Sequence, residues 1–413
     1  MRLKPRWPGL AGFSMVTVLA VGCGGGPTPD PNLGGGDDPY AQGGTEPGGE
    51  GGTEQAPPPK PQVKKEAAEY FAQGMKRFEA KDHDGAIDLL KEAVDADDKF
   101  GPAYLNIGLA YEAKGNLDEA RTWFKRASEK GKKFGAGHAN LGRLYLAEGR
   151  PADAMAAFQR AIQVNPFDGT AHLHLALQAK ERRDFPQAVK HVRTALKEDS
   201  QNVAAYQVLA RVYYDLGRFE LAKLVCEAGI HIDANAAPVH NVLGLVYLKL
   251  DDVTQAARAF EAARKADPDY VPALMNLGAI TFNYRDYESS YQAFDRVTTL
   301  EPKNVEALVS KAVAARGLDR LDEAEKLYKA ALALDPKHIG AHFNLGVLYQ
   351  EYTSKLPEAI QTYQQVLRYA QDAELRKDVT TRIQATQIQI QALKEAEEMM
   401  KQQQPQAGEG GAG

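Results

Sequence analysis

Cysteine and tryptophan are nearly missing from this chain, with two of each among 413 residues. Cys23 and Cys226 could form one disulfide at most, which excludes a disulfide-stapled fold and any paired-cysteine metal site. Aromatic residues make up only 8%. No basic excess exists either: 50 Lys and Arg face 55 Asp and Glu, for a formal charge of -5, and a nucleic-acid ligand would need a basic face. The apolar run from Leu10 to Val21 falls short of the ~20 residues that span a membrane. Glycine and proline are plentiful at 37 and 22, but they crowd into residues 22 to 61 and the last few residues. A phosphate loop, a nucleophile elbow and the H-E-x-x-H pair are all absent, so the chain reads as a non-enzyme that needs no cofactor, metal or small-molecule substrate.

What fills the middle is Ala, Leu, Glu, Lys, Arg and Gln, the usage of packed helices. Ahead of it stands an address. Arg2, Lys4 and Arg6 precede the apolar run, and a small residue, Gly22, precedes Cys23, which are the parts of a secretory signal. The stretch Leu19-Ala20-Val21-Gly22-Cys23 resembles the bacterial lipobox. That resemblance implies cleavage after Gly22 and acylation (palmitate among the chains) of Cys23, and Gly24 and Gly25 after it imply sorting to the outer membrane, facing the periplasm. Several acyl chains on one cysteine anchor stably, where one alone does not. From residue 23 to 62 the chain holds hardly an aliphatic side chain and cannot offset its ordering entropy, so it reads as a disordered tether with a reach of roughly 35 Å.

From Ala67 the sequence repeats every 34 residues, with later starts at Gly101, Gly135, Gly169, Val203, Ala237, Val271, Val305 and Ile339. The eighth position is small in all nine copies: Gly74, Gly108, Gly142, Ala176, Ala210, Gly244, Gly278, Ala312 and Gly346. The twentieth is small as well, from Ala86 and Ala120 through Ser290 and Ala324, but Ala359 is displaced by one residue in the last copy. The twenty-fourth is bulky in most copies, as in Phe124, Phe158, Phe260, Phe294, Tyr328 and Tyr363. Small residues facing each other let two antiparallel helices approach, and the large one fills the space beside them. Gly115, Gly149 and Gly217 fall at the turn within each pair, and Pro166, Pro268, Pro302 and Pro336 end the second helix.

These columns resemble the tetratricopeptide repeat (TPR), matched most fully over residues 135 to 168 by His138, Leu141, Gly142, Tyr145, Ala154, Phe158, Ala161 and Pro166. The resemblance implies an all-α, right-handed superhelical solenoid of nine TPR helix pairs over residues 63 to 372, about one superhelical turn, with first helices lining the concave side. Residues 373 to 403 carry an apolar stripe of Leu375, Val379, Ile383, Ile390 and Leu393 that suits a C-terminal capping helix, or one that runs on to pair with a partner; residues 404 to 413 read as a loose tail. Cys226 reads as a small buried apolar side chain.

The concave face should present the fifth and ninth positions of each first helix. The candidate partner-binding residues there are Phe71, Met75, Leu105, Leu109, Arg143, Leu173, Arg211, Asn241 and Phe343, together with Asn106, Asn140, Asn276 and Asn344 from the sixth. Most are apolar, and the lysines with which some relatives grip a terminal carboxylate are missing. A helix or extended segment with apolar side chains would fit, and Arg143 and Arg211 stand available for an acidic group. The Asn column is also compatible with a purely structural role. His138, His172, His240 and His342 share the fourth position one repeat apart, which gives no metal geometry. A long repeat array behind a Gly/Pro-rich leash looks like the TPR lipoproteins of the myxobacterial gliding-motility complex. The expected function is therefore a scaffold for a multiprotein envelope machine. Alternatives are a pilotin-like assembly factor for a type IV pilus secretin and an accessory regulator of an envelope enzyme.

Overall fold

The first helices of the repeats begin where their capping residues stand. In the computed structural model, which describes residues 63–130 and 134–403, the side chains of Asp168, Asn202, Asn304 and His338 each accept the amide three residues on, from Ala171, Ala205, Ala307 and Ala341. Asp82, Asp184 and Asp286 do the same for second helices, and each such cap contributes about 1 kcal/mol. The signal segment, Cys23, the tether and the C-terminal tail lie outside the described residues.

All regular structure among the described residues is helical, in nineteen α-helices and one π turn. They fall into two compact units. The first, reaching Asp252, holds α1 (Lys65–Glu79), α2 (His83–Ala96), α3 (Gly101–Ala113), α4 (Leu117–Lys130), α5 (Ala136–Ala147), α6 (Pro151–Val164), α7 (Gly169–Glu181), α8 (Phe185–Glu198), α9 (Val203–Asp215), α10 (Phe219–Ile232) and α11 (Ala237–Lys249). The second, from Val253, holds α12 (Val253–Ala266), α13 (Val271–Asn283), α14 (Tyr287–Leu300), α15 (Val305–Gly317), α16 (Leu321–Leu334), α17 (Ile339–Val347), α18 (Leu356–Tyr369) and α19 (Ala373–Gln403).

Inside each unit consecutive helices form antiparallel pairs that stack on their neighbours. The packing uses the small and large columns of the sequence. A Cβ on Gly108 would lie 2.5 Å from the Phe124 ring, one on Gly142 2.6 Å from Phe158, one on Gly278 2.8 Å from Phe294 and one on Gly346 2.5 Å from Tyr363. Phe124, Phe158, Tyr328 and Tyr363 are fully buried, as are the alanines at the twentieth position in both units, Ala86 and Ala324 among them.

Each first helix is followed by a turn with one residue in the left-handed region. Gly115, Gly149 and Gly217 hold three of these positions, and Lys81, Arg183, Asp251, Arg285, Asp319 and Ser354 hold the rest. The turn is closed in the Schellman manner, Asn116 N–H donating to Tyr111 O at 2.9 Å and Asp82 N–H to Arg77 O at 2.9 Å. A left-handed residue with a Cβ costs about 1 kcal/mol, so the six non-glycine turns are held by their surroundings.

Neighbouring repeats are tied by the fourth column. The Tyr104 hydroxyl donates to Asp98 O at 3.2 Å and Tyr206 to Ser200 O at 3.2 Å, and the Nε2 atoms of His172, His240 and His342 lie 2.9, 2.9 and 3.0 Å from the carbonyls of Pro166, Ala234 and Pro336. His172, His240 and His342 thus each clasp the connection that precedes their own first helix.

The last repeat is one residue longer than the others, and the excess is absorbed in a π turn at Leu348–Tyr352 that continues α17. Its Leu348 carbonyl accepts from Thr353 N–H at 3.0 Å, one residue further than an α-helix reaches. Beyond it, Leu375 and Ile383 of α19 pack on the core around the fully buried Val379, whereas Ile388, Leu393, Met399 and Met400 are exposed. The 31-residue helix α19 therefore closes the stack with its first turns and runs on past it. No helix among the described residues is long and apolar enough to cross a membrane.

Candidate functional site

In the first unit most of the fifth and ninth positions are half-buried. Phe71 meets Phe100 edge-on at 5.0 Å and packs on two core clusters, as Leu105 does, and Leu109 joins one of them. Met75 and Leu173 are partly exposed, and Asn241 is buried. The face is apolar because the same side chains seal one repeat against the next while leaving an edge in solvent.

The two arginines expected to await an acidic ligand are already engaged. Arg143 Nη1 donates to Glu112 Oε1 at 2.8 Å and Nη2 to Glu112 Oε2 at 2.5 Å, a two-pronged pair between successive repeats. Arg211 pairs with Asp215 at 3.4 Å and lies over the Tyr214 ring at 5.2 Å. The asparagines turn inward as well: Asn106 Nδ2 donates to Pro102 O at 2.8 Å, Asn140 to Ala136 O at 2.9 Å and Asn344 to Gly340 O at 2.9 Å. Each of these three amides returns its proton donor to its own helix, the structural role that the column allowed. Asn276 is half-buried and engaged too.

Three histidines of this unit are held in the neutral form. Burial, with Arg160 nearby, lowers His138; burial and the Arg143 charge lower His174, which stacks on Phe158 at 4.5 Å. His191 is lowered by burial, by His172 and by Lys190, and its Nδ1 lies 2.8 Å from Nδ1 of His172. His172 Nε2 in turn donates to the Pro166 carbonyl at 2.9 Å. Burial pushes the Cys226 thiol up to about 12, which leaves it unreactive.

The second unit carries a cavity of about 100 Å³ between α13, α15 and α17, with Phe282, Val309 and Val313 as its apolar wall. One rim is polar. His338 Nε2 lies 2.9 Å from Glu306 Oε1, while its Nδ1 accepts from Ala341 N–H at 3.0 Å and caps α17. The bond to Glu306 raises the imidazole pKa, and burial opposes this. Asn344 lines the same cavity, whereas Phe343 lies under the Arg382 guanidinium at 5.3 Å and packs on the core.

Tetratricopeptide-repeat profiles match residues 77–144, 135–168, 177–246, 241–297, 284–339 and 315–383. The chain belongs to the tetratricopeptide-repeat family. No curated protein sequence matches it. Among solved structures, Pseudomonas aeruginosa PilF is similar at 21% identity, covering 54% of this chain and 98% of its own, with a TM-score of 0.45. Yeast Tom70 shares 15% identity over 80% of this chain and 90% of its own, with a TM-score of 0.43. A monomeric mutant of IFIT1 shares 16% over 77% of this chain and 81% of its own, with a TM-score of 0.51. At these identities the likeness is one of fold.

TPR proteins are in general protein-interaction scaffolds without catalysis of their own. Among the described residues no three His, Cys, Asp or Glu side chains gather as a metal site. Reading only the fifth, sixth and ninth columns missed one feature. The Glu306–His338 pair lies at the second column and the helix cap, with Glu306 one turn before Val309 on the same face of α15. Helical spacing extended by one turn would have found the glutamate.

Proposed function

We propose that this TPR chain is a lipid-anchored scaffold of the bacterial outer membrane, facing the periplasm, that organises or stabilises a multiprotein envelope machine, with gliding motility the assignment its sequence resembles. The observation that carries the scaffold is the row of half-buried apolar side chains on first helices, Met75 and Leu173 among them, which keep part of their surface open to a partner. The anchor rests on the lipobox ending at Cys23 and on the tether behind it. Such a tether lets the folded part meet envelope proteins presenting an apolar helix or extended segment within a few tens of Å of the membrane.

The test is cross-linking in intact envelopes followed by recovery of the chain. Met75→Glu with Leu173→Glu is the chosen variant, because Leu105 and Leu109 pack into the core and their loss would confound folding with binding. With the helical signal by circular dichroism unchanged, the variant should lose partners that wild type recovers; an identical set of partners sinks the groove. Cys23→Ala should abolish palmitate labelling and release the chain from outer-membrane fractions. Retention there would remove the anchor from the proposal.

A further inference from the structure

The cavity of the second unit lies between three successive first helices, α13, α15 and α17, and its lining sorts by polarity. Phe282, Phe294, Val309 and Val313 make the apolar part, and the space of about 100 Å³ suits one side chain. Glu306 stands at the rim with its side chain 33% exposed, in reach of a partner. His338 does not cancel its charge. The Nδ1 of His338 accepts the Ala341 N–H, so the ring proton sits on Nε2 and the imidazole donates to Glu306 as a neutral group. A second carboxylate, Asp335, stands close enough for its charge to act on the same ring. No lysine or arginine among the described residues pairs with Glu306 or Asp335. Two carboxylates thus face at most one cation, and the rim is negative whichever form the imidazole takes. Glu112 and Asp215, on first helices of the other unit, are by contrast paired with Arg143 and Arg211.

A cavity that is apolar within and anionic at its edge selects its occupant by charge as well as by size. On the reading that first-helix faces receive partner segments, we propose that this cavity takes one bulky apolar side chain of an extended partner segment, and that a lysine or arginine two residues along that segment pairs with Glu306. The spacing agrees. Glu306, Val309, Ser310 and Val313 share one stripe of α15, with about 4.5 Å of helix rise from Glu306 to Val309 and about 10.5 Å to Val313. Two residues of extended chain cover about 7 Å, which falls between these lengths, and bring the second side chain back to the same side. Oε1 of Glu306 stays with His338, and Oε2 receives the cation. The Asn283 amide, exposed on the same rim, is placed to meet the backbone of the segment.

The probe is the peptide GSFSKSGS, labelled with fluorescein at its N-terminus and amidated at its C-terminus, against its twins GSFSQSGS and GSASKSGS; binding to the full chain is read by fluorescence anisotropy. Wild type should bind the lysine peptide about fivefold more tightly than the glutamine twin, and should lose most of its binding to the alanine twin. Glu306→Gln, whose amide oxygen can still accept from His338, should bind the lysine and glutamine peptides alike. Glu306→Asp should keep part of the preference, with melting temperatures compared to confirm folding. A lysine preference that persists in Glu306→Gln would overturn the proposal, because the charge would then be read elsewhere on the chain. So would equal binding of the lysine and glutamine peptides by wild type, or binding that does not depend on the phenylalanine. Absence of binding of the lysine peptide by wild type also counts against it. None of these results touches the scaffold, which stands or falls on envelope cross-linking with Met75→Glu and Leu173→Glu.

Discussion

Two glycines seven residues apart, Gly142 and Gly149, do different jobs, and substitution separates them. Gly149 has φ of 71° and open space where a Cβ would go, so Gly149→Ala pays only for the backbone, about 1 kcal/mol by urea unfolding. Gly142 lies in an ordinary helix, but its Cβ would meet the buried Phe158 ring at 2.6 Å, and Gly142→Ala should cost about 1–3 kcal/mol. A double-mutant cycle with Phe158→Leu should show coupling for Gly142→Ala and none for Gly149→Ala; coupling at both sites would refute the distinction. Asp319→Gly, at φ of 62°, should stabilise by a few tenths to about 1 kcal/mol, and a loss of stability would show that the aspartate side chain earns its place by contacts. Only part of this was legible in the sequence. Gly115, Gly149 and Gly217 announced the turn, but Lys81, Arg183 and Asp319 look like any polar loop residue, because their left-handed backbone is imposed by the closed Schellman bonds around them.

At the scale of the element, α19 divides by what its side chains touch. Val379→Ala should lower the stability of the second unit by about 2 kcal/mol, since Val379 is fully buried. Truncation after residue 387 should leave the melting of that unit unchanged, because Ile388, Leu393, Met399 and Met400 bring exposed surface and no core. A large drop on truncation would assign the distal helix to the fold. The apolar stripe of residues 375 to 393 was visible in sequence, but the point where its burial stops was not; periodicity marks a face and cannot mark where the neighbour ends. The ion pairs of the groove were hidden for a related reason. Arg143 finds Glu112 thirty-one residues away, across a repeat boundary, and column-by-column reading treats each position as though it faced outward alone.

For the whole molecule, acid should weaken the first unit selectively around α5 to α8. The pKa values of His138, His174 and His191 are lowered in the fold, so their contribution is fully present above the unfolded value of about 6.5 and is lost as the pH falls through and below it. Asp168 and Glu198, whose carboxyls burial pushes up, act in the opposite sense, which confines the test to near-neutral pH. Amide hydrogen exchange at about pH 7.5 and about pH 6, corrected for intrinsic rates, should show protection falling in those helices. Equal or greater protection at the lower pH would contradict the assignment.

The π turn at Leu348–Tyr352 has a consequence for how such a chain can change. An inserted residue in a sheet flips every side chain beyond it, and in a plain helix it rotates the rest by about 100°. Here the surplus is spooled into a single widened turn, and Tyr363 still fills the space over Gly346. The extra residue is thus confined to the turn in which it arises, and the helix that follows meets its partner in the register that the shorter repeats keep.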